Sequence, residues 1–251
     1  MSSIYPSPAT APSPKTRRTA AGSVLLGLVI SVVFAVIFVR LFDFVTDAGR
    51  RVLPFDHDLL LWMYRHRTPP LNELGEWLAH LGSPWVIVGI GLAGALAGAV
   101  WRKVRGAAWT LPIAILGSGV IIQTVKLIVQ RPRPAAVPEG FQPLLHETGY
   151  SFPSGHSLIA MTVYGLLGYF ALHLVSHRWA RLVIRVLTVL LVFAIGASRV
   201  YVGVHYPTDV LAGWTAGVPW LVTCLGLHEL LTRRWPHSGE PVLHSKLTPK
   251  G

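Results

Sequence analysis

From residue 19 to residue 39 the chain runs for 21 positions without a charged side chain. At about 1.5 Å of rise per residue, a helix of that length covers the roughly 30 Å of hydrocarbon in a bilayer. It is too long for the apolar core of a signal peptide, and no small-residue cleavage site follows it, so it reads as a retained membrane helix. Residues 81–101, 107–125, 157–175, 182–198 and 210–228 meet the same criterion. Arg185 lies near a span end, where its side chain can snorkel to the interface, and His173 lies near the far end of its own span. A hydrophobic share of 52% against 13% charged residues fits a bilayer protein rather than a water-soluble globule. The expected fold class is therefore all-α, a polytopic membrane protein with six transmembrane helices.

Residues 1–18, rich in Pro and Ser, read as a disordered tail, residues 19–235 as the membrane domain, and residues 236–251 as a second tail. Between the first and second spans, residues 42–80 carry apolar side chains at helical spacing, interrupted by Pro69 and Pro70. They are expected to form two short helices lying on the membrane surface. With six spans, 13 of the 22 Lys and Arg fall on the side that holds both termini. Three of the nine on the other side, Lys126, Arg133 and Arg199, belong to the motifs discussed below. The positive-inside rule then makes both termini cytoplasmic. The formal charge of +11 is scattered singly between apolar runs, which argues against a nucleic-acid partner and for anionic lipid. Cys224 is the single cysteine, so an intramolecular disulfide and a cysteine metal site are both excluded. Gly91 and Ala95 form a small-xxx-small pair of the kind that lets helices pack closely. Asp56, His57 and Asp58 are adjacent residues pointing in different directions and read as interfacial polar groups, not as metal ligands. His146 and Glu147 fall in the long loop after the third span, where solvation is the default and contact with a substrate head group the alternative. Nothing in the sequence speaks to oligomeric state.

Three polar clusters occupy the non-cytoplasmic ends of spans three to six. Lys126 to Pro134 reads KLIVQRPRP, Pro153 to His156 reads PSGH, and Ser198 to Asp209 reads SRVYVGVHYPTD. Taken singly, the cations would be interfacial anchors, the histidines interfacial polar residues and Asp209 a helix cap. Together, Lys126, Arg133 and Arg199 would attract a phosphate and stabilise the charge on its equatorial oxygens. Ser154 adds a hydroxyl, and Gly155 lets backbone amides at a helix N-terminus approach an anion. His205 suits a nucleophile because Asp209, four residues on, can hold its imidazole in one tautomer. His156 is left as general acid and then base. This chemistry needs no metal and no cofactor.

The pattern K-x6-R-P, P-S-G-H, S-R-x5-H-x3-D resembles the three-part signature of the type 2 phosphatidic acid phosphatase (PAP2) superfamily, complete at Lys126, Arg133, Pro134, Pro153, Ser154, Gly155, His156, Ser198, Arg199, His205 and Asp209. The resemblance implies a metal-independent phosphatase of the bacterial plasma membrane, its site facing away from the cytoplasm. The expected partners are the bilayer and a lipid phosphate or diphosphate. Undecaprenyl diphosphate is the first choice of substrate, with phosphatidylglycerol phosphate and phosphatidate behind it. A lipid-linked phosphotransferase would share the covalent intermediate. A non-catalytic lipid phosphate transporter would have no use for the two histidines and Asp209. Vanadate-dependent haloperoxidases share the signature but are soluble.

Overall fold

The computed structural model describes residues 14–47, 52–101, 104–134 and 141–234. The described residues form eight helices: α1 Pro14–Asp47, α2 Pro54–Arg65, α3 Pro69–Leu81, α4 Pro84–Val100, α5 Ala107–Val129, α6 Gly155–Leu174, α7 Arg178–Tyr201 and α8 Pro207–Arg234. No strand occurs among them. Five helices, α1, α2, α3, α4 and α8, open on proline, whose fixed φ and missing N–H suit the first helical turn. Residues 14–18 of the expected N-terminal tail belong to α1, while residues 1–13 and the expected tail 236–251 lie outside the described residues.

α1, α5, α6, α7 and α8 are each long and apolar enough to cross a membrane. The second expected span is shorter than its hydropathy suggested. α4 has 17 residues, about 25 Å of helix, which falls short of a roughly 30 Å core. α3 runs into it across Gly82 and Ser83 with a bend of 51°, and the pair counts as a sixth span if taken together. The bend has a local cause: Gly82 ends α3, the Ser83 hydroxyl accepts from the Val86 N–H at 3.4 Å to start α4, and Pro84 follows. α3 therefore does more than rest on the membrane surface. Its end is tied into the bundle by the Tyr164 hydroxyl, which donates to the Leu81 carbonyl at 2.9 Å.

α6 is the central helix, packed against α4, α5, α7 and α8 and buried along much of its length. The main core joins Ile87 and Ala95 of α4, Leu111 and Ala114 of α5, Ile159, Val163 and Leu166 of α6, Ile195 of α7 and Cys224 of α8. Small residues set the spacing. A Cβ on Gly91 would lie 2.7 Å from the Ile115 side chain, which that glycine makes room for, and one on Gly213 would lie 2.6 Å from the Ser154 carbonyl, so α8 approaches the start of α6 at near backbone contact. α1 lies along α8 and leaves Leu26, Val32 and Val36 exposed, an apolar outer face that suits lipid.

Candidate active site

The end of the bundle formed by the C-termini of α5 and α7 and the N-termini of α6 and α8 collects the polar clusters. α5 stops at Gln130, which takes a left-handed backbone (φ 51°). Pro132 and Pro134 then hold the chain out of helix, which turns Arg131 and Arg133 back towards the bundle. α7 ends similarly. Its Arg199 carbonyl accepts from both Val204 N–H and His205 N–H at 3.2 Å, and Gly203 takes φ 88° to allow the turn. This places His205 directly beyond Arg199. α8 then begins at Pro207, putting Asp209 in its first turn, where its Oδ2 accepts from the Tyr206 N–H at 3.0 Å.

His205 is fully buried. Its Nδ1 lies 3.4 Å from Asp209 Oδ2, and its Nε2 lies 3.3 Å from Arg133 Nη1. An arginine only donates, so Nε2 is the acceptor and Nδ1 carries the hydrogen towards the carboxylate. The lone pair of Nε2 thus faces the arginines. Burial, followed by the positive Arg133, Arg199 and Lys126, holds the imidazole well below the ordinary histidine range, so the ring is neutral at neutral pH. The His156 ring, at the start of α6, stands 6.4 Å from that of His205 in an edge orientation. Lys126 lies in the last turn of α5, within electrostatic reach of Arg133, Arg199 and Asp209. The structure therefore gathers Lys126, Arg133, His156, Arg199, His205 and Asp209 at one place. Ser154 is there too, but its hydroxyl caps α6, accepting from Ser157 N–H at 3.4 Å and from the Ser157 hydroxyl at 2.9 Å. Gly155 is the first residue of that helix.

Three further residues complete the site. Asp56 was expected at the membrane interface, yet it is fully buried. Its Oδ2 accepts from Arg131 Nη2 at 2.6 Å and from the Thr208 hydroxyl at 2.7 Å, and its Oδ1 accepts from the Thr208 N–H at 2.9 Å. Arg131, also fully buried, uses its other terminal nitrogen to donate to Asp209 Oδ1 at 2.7 Å and to the Thr208 hydroxyl at 2.8 Å. Its guanidinium stacks 4.2 Å from the centre of the Tyr206 ring. Burial by itself would weaken the charge on Arg131, but Asp209 and Asp56 outweigh it and push the guanidinium up from its ordinary value. With Oδ1 committed to Arg131, Asp209 can turn only Oδ2 to His205. The signals for this pair were slight: an aspartate in the first turn of a short helix, and an arginine two residues before Arg133.

Glu147 is the third addition. It is not simply a solvated loop residue, because its carboxylate bridges the arginines: Oε2 lies 2.9 Å from Arg133 Nη1, Oε1 contacts Arg199 Nη2, and His156 Nε2 is 3.7 Å away. His146 beside it is exposed. Glu147, His156 and His205 could in principle hold a metal, with ligand atoms all within 4.8 Å of one another. A divalent cation there would sit among two guanidinium groups and a lysine, a repulsive setting. Fixed cations around two imidazoles suit an anion instead.

A helical membrane bundle with such a cationic, imidazole-lined end is built to handle a phosphate group in a bilayer. The chain belongs to the PAP2 superfamily, whose profile matches residues 107–233. Phosphatidylglycerophosphatase B of Bacillus subtilis is 33% identical over 177 residues, covering 66% of this chain and 80% of the relative. Undecaprenyl-diphosphatase of Sulfolobus acidocaldarius is 30% identical over 170 residues, covering 67% and 76%. Among solved structures, the transmembrane PAP2-type phosphatidylglycerolphosphate phosphatase of B. subtilis superposes with a TM-score of 0.71 at 26% identity, covering 81% of this chain and 98% of that one. Aquifex aeolicus LpxE gives 0.54 at 29% identity, covering 67% and 93%. The protein is an integral membrane lipid phosphatase, a phosphoric ester hydrolase of the PAP2 type.

Proposed function

We propose that the enzyme removes the terminal phosphate of a membrane lipid phosphomonoester or diphosphate through a phosphohistidine on His205, at the outer face of a bacterial plasma membrane with both chain termini in the cytoplasm. The observation that carries the reading is the orientation of His205: its Nδ1 is turned to Asp209, and its Nε2 lone pair faces Arg133. Lys126, Arg133 and Arg199 hold the phosphoryl oxygens, helped by the amides at the start of α6. His205 Nε2 attacks phosphorus, the P–O bond to the lipid breaks, and His156 gives its proton to the departing oxygen. The dianionic phosphate supplies the counter-charge for a protonated His156. Water then attacks the phosphorus, its proton passes to His156, and the P–N bond breaks to release inorganic phosphate. Asp209 offsets the positive charge that develops on the His205 ring, and Arg131 and Asp56 keep that carboxylate in place.

Undecaprenyl diphosphate was the substrate expected from the sequence. The 33% relative and the structure with a TM-score of 0.71 are both named for phosphatidylglycerol phosphate, which we therefore place first, with undecaprenyl diphosphate second. A panel of both lipids, phosphatidate and a soluble phosphate ester, presented to the purified enzyme in EDTA, decides between them. Phosphate release should persist in EDTA and fall in the presence of vanadate, which copies pentacoordinate phosphorus. The His205→Asn variant should lose phosphate release and any acid-labile phosphoenzyme. Strict dependence on added divalent metal, or full activity of His205→Asn, would remove the mechanism.

A further inference from the structure

Glu147 sits where the proposed mechanism needs phosphate oxygens. Its carboxylate is shared between Arg133 Nη1 and Arg199 Nη2 and reaches towards His156 Nε2. Its side chain is 26% exposed, against 9% for Arg133 and 1% for Arg199, so it lies between the arginines and water, at the mouth of the site. The segment that carries it is pinned on either side, by the Leu144 N–H donating to the Val202 carbonyl at 2.8 Å and the Ser151 N–H donating to the Arg131 carbonyl at 2.9 Å. Between those anchors lies Gly149 at φ 79°, with nothing within 4 Å of where a Cβ would stand. The Gly149 carbonyl also accepts from Arg133 Nε at 3.2 Å, so the loop backbone is held at the site and it is the partly exposed Glu147 side chain, by rotation, that would yield the arginines to an incoming anion.

An internal carboxylate on two guanidinium groups sets the terms on which any anion enters. The membrane around the site is filled with phosphodiester head groups, each with one negative charge on two free oxygens. Such a group would exchange one monoanion for another and still lose its own hydration, so it gains little. A phosphomonoester or a terminal diphosphate brings two charges and three free oxygens, enough for both arginines and Lys126 together. We infer that Glu147 is a specificity-determining residue, a charge filter that yields the cradle to dianionic phosphoryl groups and keeps out the monoanionic phosphodiesters of bulk phospholipid. The inference rests on the reading of the cationic cradle as the phosphate site.

The test compares wild-type enzyme with Glu147→Gln and Glu147→Asp in detergent micelles, hydrolysing a lipid phosphomonoester with phosphatidylglycerol added as the phosphodiester competitor and orthovanadate as a separate inhibitor. Glu147→Gln removes the charge, so its Ki for phosphatidylglycerol should fall about tenfold and its KM should fall as well, about the change expected for one lost charge-pair competitor. Glu147→Asp, with the charge kept on a shorter arm, should lie between. If both variants show the wild-type Ki for phosphatidylglycerol, or if Glu147→Gln lowers kcat with KM and Ki unchanged, Glu147 is a partner of His156 and not a filter. Failure of the underlying reading looks different: wild-type enzyme would then neither release phosphate nor respond to vanadate.

Discussion

Asp209 shows how one side chain serves three groups at once. Its Oδ2 faces both His205 Nδ1 and the Tyr206 N–H, while Oδ1 is held by Arg131. The buried set Asp56, Arg131 and Asp209 carries one net negative charge, which a cationic His205 would balance. Replacing Arg131 with Met should leave two buried carboxylates without their cation, costing about 3–5 kcal/mol of stability. Asp56→Asn keeps the shape and loses the charge. It should lower kcat by about tenfold or more with little change in KM if His205 attacks as proposed, because what it loses is the alignment of that imidazole. Steady-state kinetics on folded protein separates the two. The acid side of the pH profile follows from His205. Burial and the neighbouring cations hold its folded pKa well below the ordinary 6.5, so the ring stays neutral as pH falls through that value. The acid limb of kcat/KM assigned to it, corrected for ionisation of the substrate, should lie below pH 6.5. The sign for stability is the opposite of a gain: below about pH 6.5 the unfolded chain takes up a proton that the folded ring refuses. Stability should therefore decline as pH drops from 6.5 towards the folded pKa, and less so in His205→Asn, as thermal unfolding in detergent would show.

At the scale of helices, the site depends on α6 and α8 meeting almost backbone to backbone. The Gly213 Cα faces the Ser154 carbonyl, and a Cβ there would also come within 2.7 Å of Ser157 Cβ. Gly213→Ala should push α8 away from the PSGH turn, costing about 1–3 kcal/mol and lowering kcat, since His156 and Asp209 ride on the two helices. Gly226 stands in open space on the same helix, so Gly226→Ala should leave the rate unchanged and should not lower the unfolding temperature. α2 has a similar standing. Through Asp56 it is hydrogen-bonded to the first turn of α8, which makes a short helix expected to lie on the membrane part of the support for His205 and Asp209.

Across the whole molecule, the asymmetry of positive charge gives an orientation that chemical labelling can check. His146 and Arg105 are exposed at opposite ends of the bundle, while the native Cys224 is buried. In intact cells, a membrane-impermeant maleimide should label His146→Cys and reach Arg105→Cys only after lysis. The reverse pattern would turn the proposed topology over.

The all-helical, membrane-spanning class was legible in the chain because burying apolar backbone in lipid leaves helix as the available open form, whereas the second expected span is made only by α3 and α4 together. The groups that gather at one end were legible for a related reason: Lys126, Arg133, His156, Arg199, His205 and Asp209 are polar residues at the edges of apolar runs, where a charge is costly without a task. Legibility stopped where meaning depends on a partner distant in sequence. Asp56 and Arg131 lie 75 residues apart and 0% exposed, and neither has a local pattern that announces the other. Glu147 looks like any loop carboxylate until folding sets it between Arg133 and Arg199. The 51° bend between α3 and α4 arises at Gly82, Ser83 and Pro84, a local break that hydropathy averaged over a span does not register. Composition and spacing determine which solvent each segment seeks and which chemistry is present; only the packed helices decide which charges share a low-dielectric space, because Coulomb energies there depend on distances of a few ångströms that no linear pattern encodes.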